Sequence, residues 1–85
     1  MAEEEIGAIM HYFDKAGVAA FKIEKGELNV GDTVHIVGHT SDITTTIESM
    51  QIEHDKVEKA GVGDAVGIKV PGKVREHDRV FKVVP

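Results

Sequence analysis

Five histidines stand in a chain of 85 residues that has no cysteine, and they are the first candidates for chemistry. They are His11, His35, His39, His54 and His77. Imidazole ligates zinc at roughly 2.0–2.2 Å, but a site needs three or four donors that converge. His35 and His39 have a spacing that converges on a helix, not on a strand that runs into a loop. The other three lie in separate segments. Surface and rim positions therefore account for the set better than a metal centre, and no cofactor is expected. The acid pairs Glu48/Glu53 and Asp55/Glu58 fall on outward or loop positions, where solvation explains them. No Gly-x-Ser-x-Gly elbow is present, and without cysteine no Cys–His nucleophile pair can form. Catalysis is not expected.

The remaining charged feature is the late basic set Lys69, Lys73, Arg75, Arg79 and Lys82. Lys69 and Arg79 are read as outward positions of neighbouring strands, with Lys73 and Arg75 in the connection between them. As a surface it could meet RNA phosphates or a protein partner. Glu76 and Asp78 interleave it and weaken its field, so outer-face cations are the simpler reading. Fifteen acidic against ten basic residues give a net charge of −5, unlike proteins whose main work is gripping nucleic acid. Any RNA binding is expected to be weak.

These residues must be positioned by strands. Leu28, Val30, Val34 and Ile36 alternate on either side of Gly31-Asp32, which reads as strand, tight turn, strand. VGDTV at 30–34 recurs as VGDAV at 62–66, and EHDRV at 76–80 is a degraded third copy. In each, Gly31, Gly63 or His77 supplies the positive-φ residue. The following Asp32, Asp64 or Asp78 caps the turn through its carboxylate. Ile6–Phe13 is read as a first strand, with Ile6, Ala8, Met10 and Tyr12 on one side and Ile9, His11 and Phe13 on the other. A hairpin at 14–17 leads to a second strand, 18–24, and a third follows at 33–37. Ile43–His54 changes parity, and a β-bulge near Glu48-Ser49 would let Ile47, Met50 and Ile52 face inward together. A helix is the lesser alternative there, because three threonines in a row disfavour it. Residues 55–61 are read as a loop or single helical turn, and strands follow at 65–70 and 80–84. The expected core is Phe21, Ile23, Val34, Ile36, Met50, Ile52, Val66 and Ile68.

KGELNVGDTVHIVG, ESMQIEHDKVEKAGVGDAVGIKV and KVREHDRVF together resemble the second, β-barrel domain of elongation factor Tu-type translational GTPases. His77 stands where that family usually has glycine. The resemblance implies an all-β fold, a small closed antiparallel β-barrel of about six strands. It also implies a noncatalytic binding module that contacts tRNA, rRNA or a translation-associated protein. The same barrel occurs at the end of collagenase-like peptidases, so the alternative is an accessory subunit to a separate enzyme. No GxxxxGK[ST] phosphate loop exists in the sequence, so no nucleotide is expected to bind. Glu4 and Glu5 are followed by Ile6-Gly7-Ala8, without the aromatic of the family's aminoacyl pocket, and that pocket is not carried over.

Length allows one domain, expected at residues 6–85 behind a flexible acidic end at 1–5. A chain of this size buries roughly 60–65% of its unfolded surface, so Val and Ile must be used well. No apolar run approaches the ~20 residues of a membrane helix, and the acidic start is unlike a signal peptide. A cytoplasmic monomer is expected.

Overall fold

In the computed structural model residues 2–84 are described, and every regular element among them is a β-strand. There are ten: β1 (Ala2–Phe13), β2 (Val18–Ile23), β3 (Glu27–Asn29), β4 (Thr33–Val37), β5 (Asp42–Thr46), β6 (Met50–Ile52), β7 (Asp55–Val57), β8 (Lys59–Gly61), β9 (Ala65–Lys69) and β10 (Arg79–Val84). Eight form one sheet in the order β5-β4-β10-β1-β2-β9-β6-β7, and β3 pairs with β8. All these pairings are antiparallel. More strands are present than the six expected, because β3, β6, β7 and β8 are short three-residue pairings.

The central strand β1 carries two irregularities. Ile6 is an extra residue between Glu5 and Gly7 against β10, and Met10 is extra between Ile9 and His11 against β2. The first lets Ile6 and Ile9, of opposite parity, both bury. The second turns Met10 outward, where it is half exposed. The strict alternation expected for this strand is therefore corrected twice. Gly7 is required at the first irregularity, since a Cβ there would lie 2.3 Å from the carbonyl oxygen of Lys22. The strand also begins earlier than expected. Ala2–Glu5 are exposed but laddered to Val84–Phe81 of β10, because the sheet offers their backbone partners. Met1 lies outside the described residues.

β4 and β9 keep the period of two, burying Val34 and Ile36, and Val66 and Ile68. Phe21, Ile23 and Met50 join them, and Ile52 is half-buried against the same cluster. Ile6, Ile9, Ala19, Leu28, Ile47, Ala60, Val70, Val74 and Val80 complete the core.

The segment 43–54 is not one bulged strand. β5 ends at Thr46 on β4, and β6 begins at Met50 on β9, so the chain crosses between distant parts of the sheet. Ile47 and Met50 do both point inward, but a corner rather than a bulge puts them there. Residues 55–61, expected to be a loop or single helical turn, instead carry strands β7 and β8. Glu53 and His54 form the two-residue β6–β7 turn at φ 50° and 71°, the positive-φ pair of a type I′ hairpin.

Candidate functional site

The three repeated turns share one construction. Asp32 Oδ2 accepts from the Asn29 amide at 2.8 Å, Asp64 Oδ2 from Gly61 at 2.9 Å, and Asp78 Oδ2 from Arg75 at 2.8 Å. Gly31, Gly63 and His77 take φ of 99°, 93° and 73°. Each turn then grips one buried isoleucine through two backbone hydrogen bonds. Gly31 N–H donates to Ile47 and Ile47 N–H to Asp32, both at 2.8 Å. Gly63 and Asp64 hold Ile23 at 2.8 and 2.9 Å, and His77 and Asp78 hold Ile9 at 2.8 Å twice. The repeat in the sequence is thus a repeated clamp on the core. Its third copy places a side chain where a left-handed backbone costs about 1–3 kcal/mol.

The structure does not gather the basic set into one patch. β9 and β10 are separated by β1 and β2, so Lys69 and Arg79 are not on neighbouring strands as expected. Lys82 turns into a half-buried pair with Asp32 at 3.4 Å and donates to the Glu27 carbonyl at 3.1 Å. Arg79 is hydrogen-bonded to Glu5. Lys73 lies 3.9 Å from Asp14. Arg75 has no ion-pair partner among the described residues.

His35 carries the most organised polar contact. Its Nδ1 lies 2.8 Å from Glu3 and its Nε2 2.5 Å from Asp42. A ring that donates from both nitrogens is an imidazolium. The Asp42 hydrogen bond, and then that of Glu3 and both charges, hold its pKa above the ordinary value, against partial burial that lowers it. Sequence spacing sets His35 only against His39, without convergence, and misses this set, because Glu3 comes from the segment expected to fray. No group of three or more His, Asp or Glu among the described residues is placed to hold a metal ion.

Several hollows mark the surface, and two of them bear on a candidate site. One, about 340 Å³, has Phe13 and Val18 beside the small residues Ala20 and Gly67, with Glu53 and His54 at its rim. It exists because Ala20 and Gly67 are cross-strand partners, which leaves the sheet surface bare at that row. The other is a polar groove of about 910 Å³ between the end of β1, the 40–41 loop and residues 73–77. It holds His11, Tyr12, Lys73, Arg75 and His77, with Asp14 and Glu76 among them.

Residues 16–80 match the family described as Elongation factor Tu domain 2. The chain belongs to that family. It is 40% identical over 78 residues to a protein named collagenase from Porphyromonas gingivalis, across 91% of this chain and 22% of that protein. The same identity and length relate it to an uncharacterised protease of Methanocaldococcus jannaschii, of which it covers 19%. The chain therefore spans about a fifth of these curated relatives. In fold it is similar to the C-terminal domain of a protein assigned to the U32 peptidases in Geobacillus thermoleovorans. That likeness has a TM-score of 0.86 at 21% identity, over 95% of this chain and 93% of that one. No helix among the described residues is long and apolar enough to cross a membrane.

Proposed function

We propose that this chain is a noncatalytic protein-interaction module that serves a separate peptidase-type enzyme as an accessory β-barrel. The observation that carries the reading is 40% identity along 91% of the chain to one-fifth of larger proteins named as proteases. A domain that is a minor part of each relative fits an accessory role better than a complete active site. In this reading the curled sheet and the β3–β8 ribbon act as one closed barrel, with the β5–β6 crossing joining its ends. The translation-factor alternative, with RNA as ligand, is disfavoured by the dispersal of Lys69, Arg79 and Lys82 and by the net charge of −5.

The test is affinity capture by the tagged chain from a lysate of its source organism, with and without ribonuclease. Expected is one stoichiometric protein partner, resistant to ribonuclease and identified by mass spectrometry as carrying a peptidase's catalytic part. Ribonuclease-sensitive recovery of tRNA or ribosomal proteins would instead support the translation reading.

A further inference from the structure

The third turn is held more firmly than a surface turn requires. Its Asp78 is 5% exposed and caps the Arg75 amide. The loop before β5 leaves room for that carboxylate only because residue 38 is glycine. A Cβ on Gly38 would fall 1.8 Å from Asp78 Oδ1. Two backbone hydrogen bonds fix the turn to Ile9 of β1. Within this frame His77 takes the left-handed conformation that its two sister turns give to glycine. The framework over-determines a conformation the residue disfavours, which is how strain persists at a working position. Arg75 and His77 both reach the 910 Å³ groove, and neither side chain has an ion-pair partner among the described residues.

The other polar groups of the groove have near neighbours. Lys73 faces Asp14 and His11 faces Glu76, each at 3.9 Å. Of the groove's two strong cations, Lys73 and Arg75, Arg75 is the one without an ion-pair partner among the described residues, and it sits on a rigid turn with the imidazole of His77 and the ring of Tyr12 lining the same groove. A guanidinium is a planar fork of donors that matches a single carboxylate in two hydrogen bonds. A polyanion suits the groove poorly, since Asp14 and Glu76 would repel its second charge. We infer that this groove is a binding subsite for one carboxylate carried by a polypeptide, received by Arg75 beside His77. The inference rests on the protein-interaction reading and names the chemistry of the partner.

The experiment is a set of ¹H–¹⁵N NMR titrations of the full chain with defined probes. They are acetyl-Gly-Ala-Ala-Phe with a free carboxylate, the same peptide as its amide, and acetyl-Gly-Glu-Ala-Phe-amide. The free-carboxylate or the Glu peptide should shift the amide signals of Tyr12 and residues 74–78, while the uncharged peptide does not. Which of the two binds tells whether a chain terminus or an acidic side chain is the natural source. Arg75→Gln should weaken binding about tenfold, the worth of one charged hydrogen-bond pair. His77→Gly should raise the thermal midpoint by removing strain, yet weaken the same peptide several-fold. No shift with either carboxylate peptide, or equal binding by Arg75→Gln, overturns the inference. So does a His77→Gly protein that binds as well as the parent, and so does tighter binding of a 12-nucleotide RNA at the same signals. A captured peptidase partner that persists with Arg75→Gln would leave the accessory role standing while the subsite fails.

Discussion

At the scale of single residues, His35 sets a pH dependence whose sign follows from its two carboxylate partners. Its folded-state pKa is raised, so the protonated ring stabilises the fold fully below its unfolded pKa, about 6.5. That contribution is lost as pH rises through the raised folded value. Thermal midpoints of the parent and of His35→Gln should therefore differ more at pH 5.5 than at pH 8.5. A gap that is constant across this range would remove the imidazolium from the account. Ile36, fully buried on β4, gives a second test. Ile36→Ala should cost about 2–5 kcal/mol through the cavity it leaves, measured as a lower denaturation midpoint at unchanged slope. Its inward position was legible from the alternation of Val34 and Ile36. The His35 contact was not legible, because hydrogen bonds from β4 to Glu3 and Asp42 depend on which strands lie side by side.

At the scale of elements, the three Gly/His-Asp turns explain more than their own geometry. Each exchanges two backbone hydrogen bonds with Ile47, Ile23 or Ile9, so removing one cap loosens a core anchor as well as a turn. Asp64→Ala should destabilise by about 0.5–2 kcal/mol, as other lost side-chain caps of backbone amides do. In hydrogen exchange the Ile23 amide, bonded to the Asp64 carbonyl, should then lose protection before Val34, which lies on another pair of strands. An unchanged Ile23 amide would mean that the clamp holds without the carboxylate. The first strand yields a further prediction. Deleting residues 2–5 removes their ladder to β10 and the Glu5–Arg79 bond, so the thermal midpoint should fall and the β10 amides should exchange faster. A truncated protein with unchanged midpoint and exchange would show that this stretch frays as its acidic composition suggested. The parity break at 43–54 was visible in the sequence. Whether a bulge or a corner resolves it depended on the partners of β5 and β6, and the sequence does not list partners.

At the scale of the whole molecule, charge and topology set what an RNA-binding test should read. A nucleic-acid surface needs several cations in reach of successive phosphates. Here Lys82 is tied to Asp32, Arg79 to Glu5, and Lys69 lies two strands away from β10. Labelled tRNA should accordingly show no retention at moderate salt, and any low-salt binding should be weaker than the ~10⁻⁴–10⁻⁶ M of ordinary nonspecific association. Replacement of Lys73 and Arg75 by Ala would change little in that assay. Tight binding with a steep salt slope that falls by about two units in the double variant would restore the RNA reading.

What the sequence by itself determined is local. Alternating Val and Ile defined strands, and three Gly/His-Asp steps defined turns, because φ preferences and side-chain parity act between near neighbours. It also carried the family likeness, and the matched stretch, residues 16–80, takes in all three turns. Only the tertiary structure decided which isoleucine each turn grips, that β9 and β10 stand two strands apart, and that Glu3 reaches His35. Those outcomes depend on strand order, which is set by the summed burial of a core drawn from nearly every strand. No short stretch of residues encodes that sum.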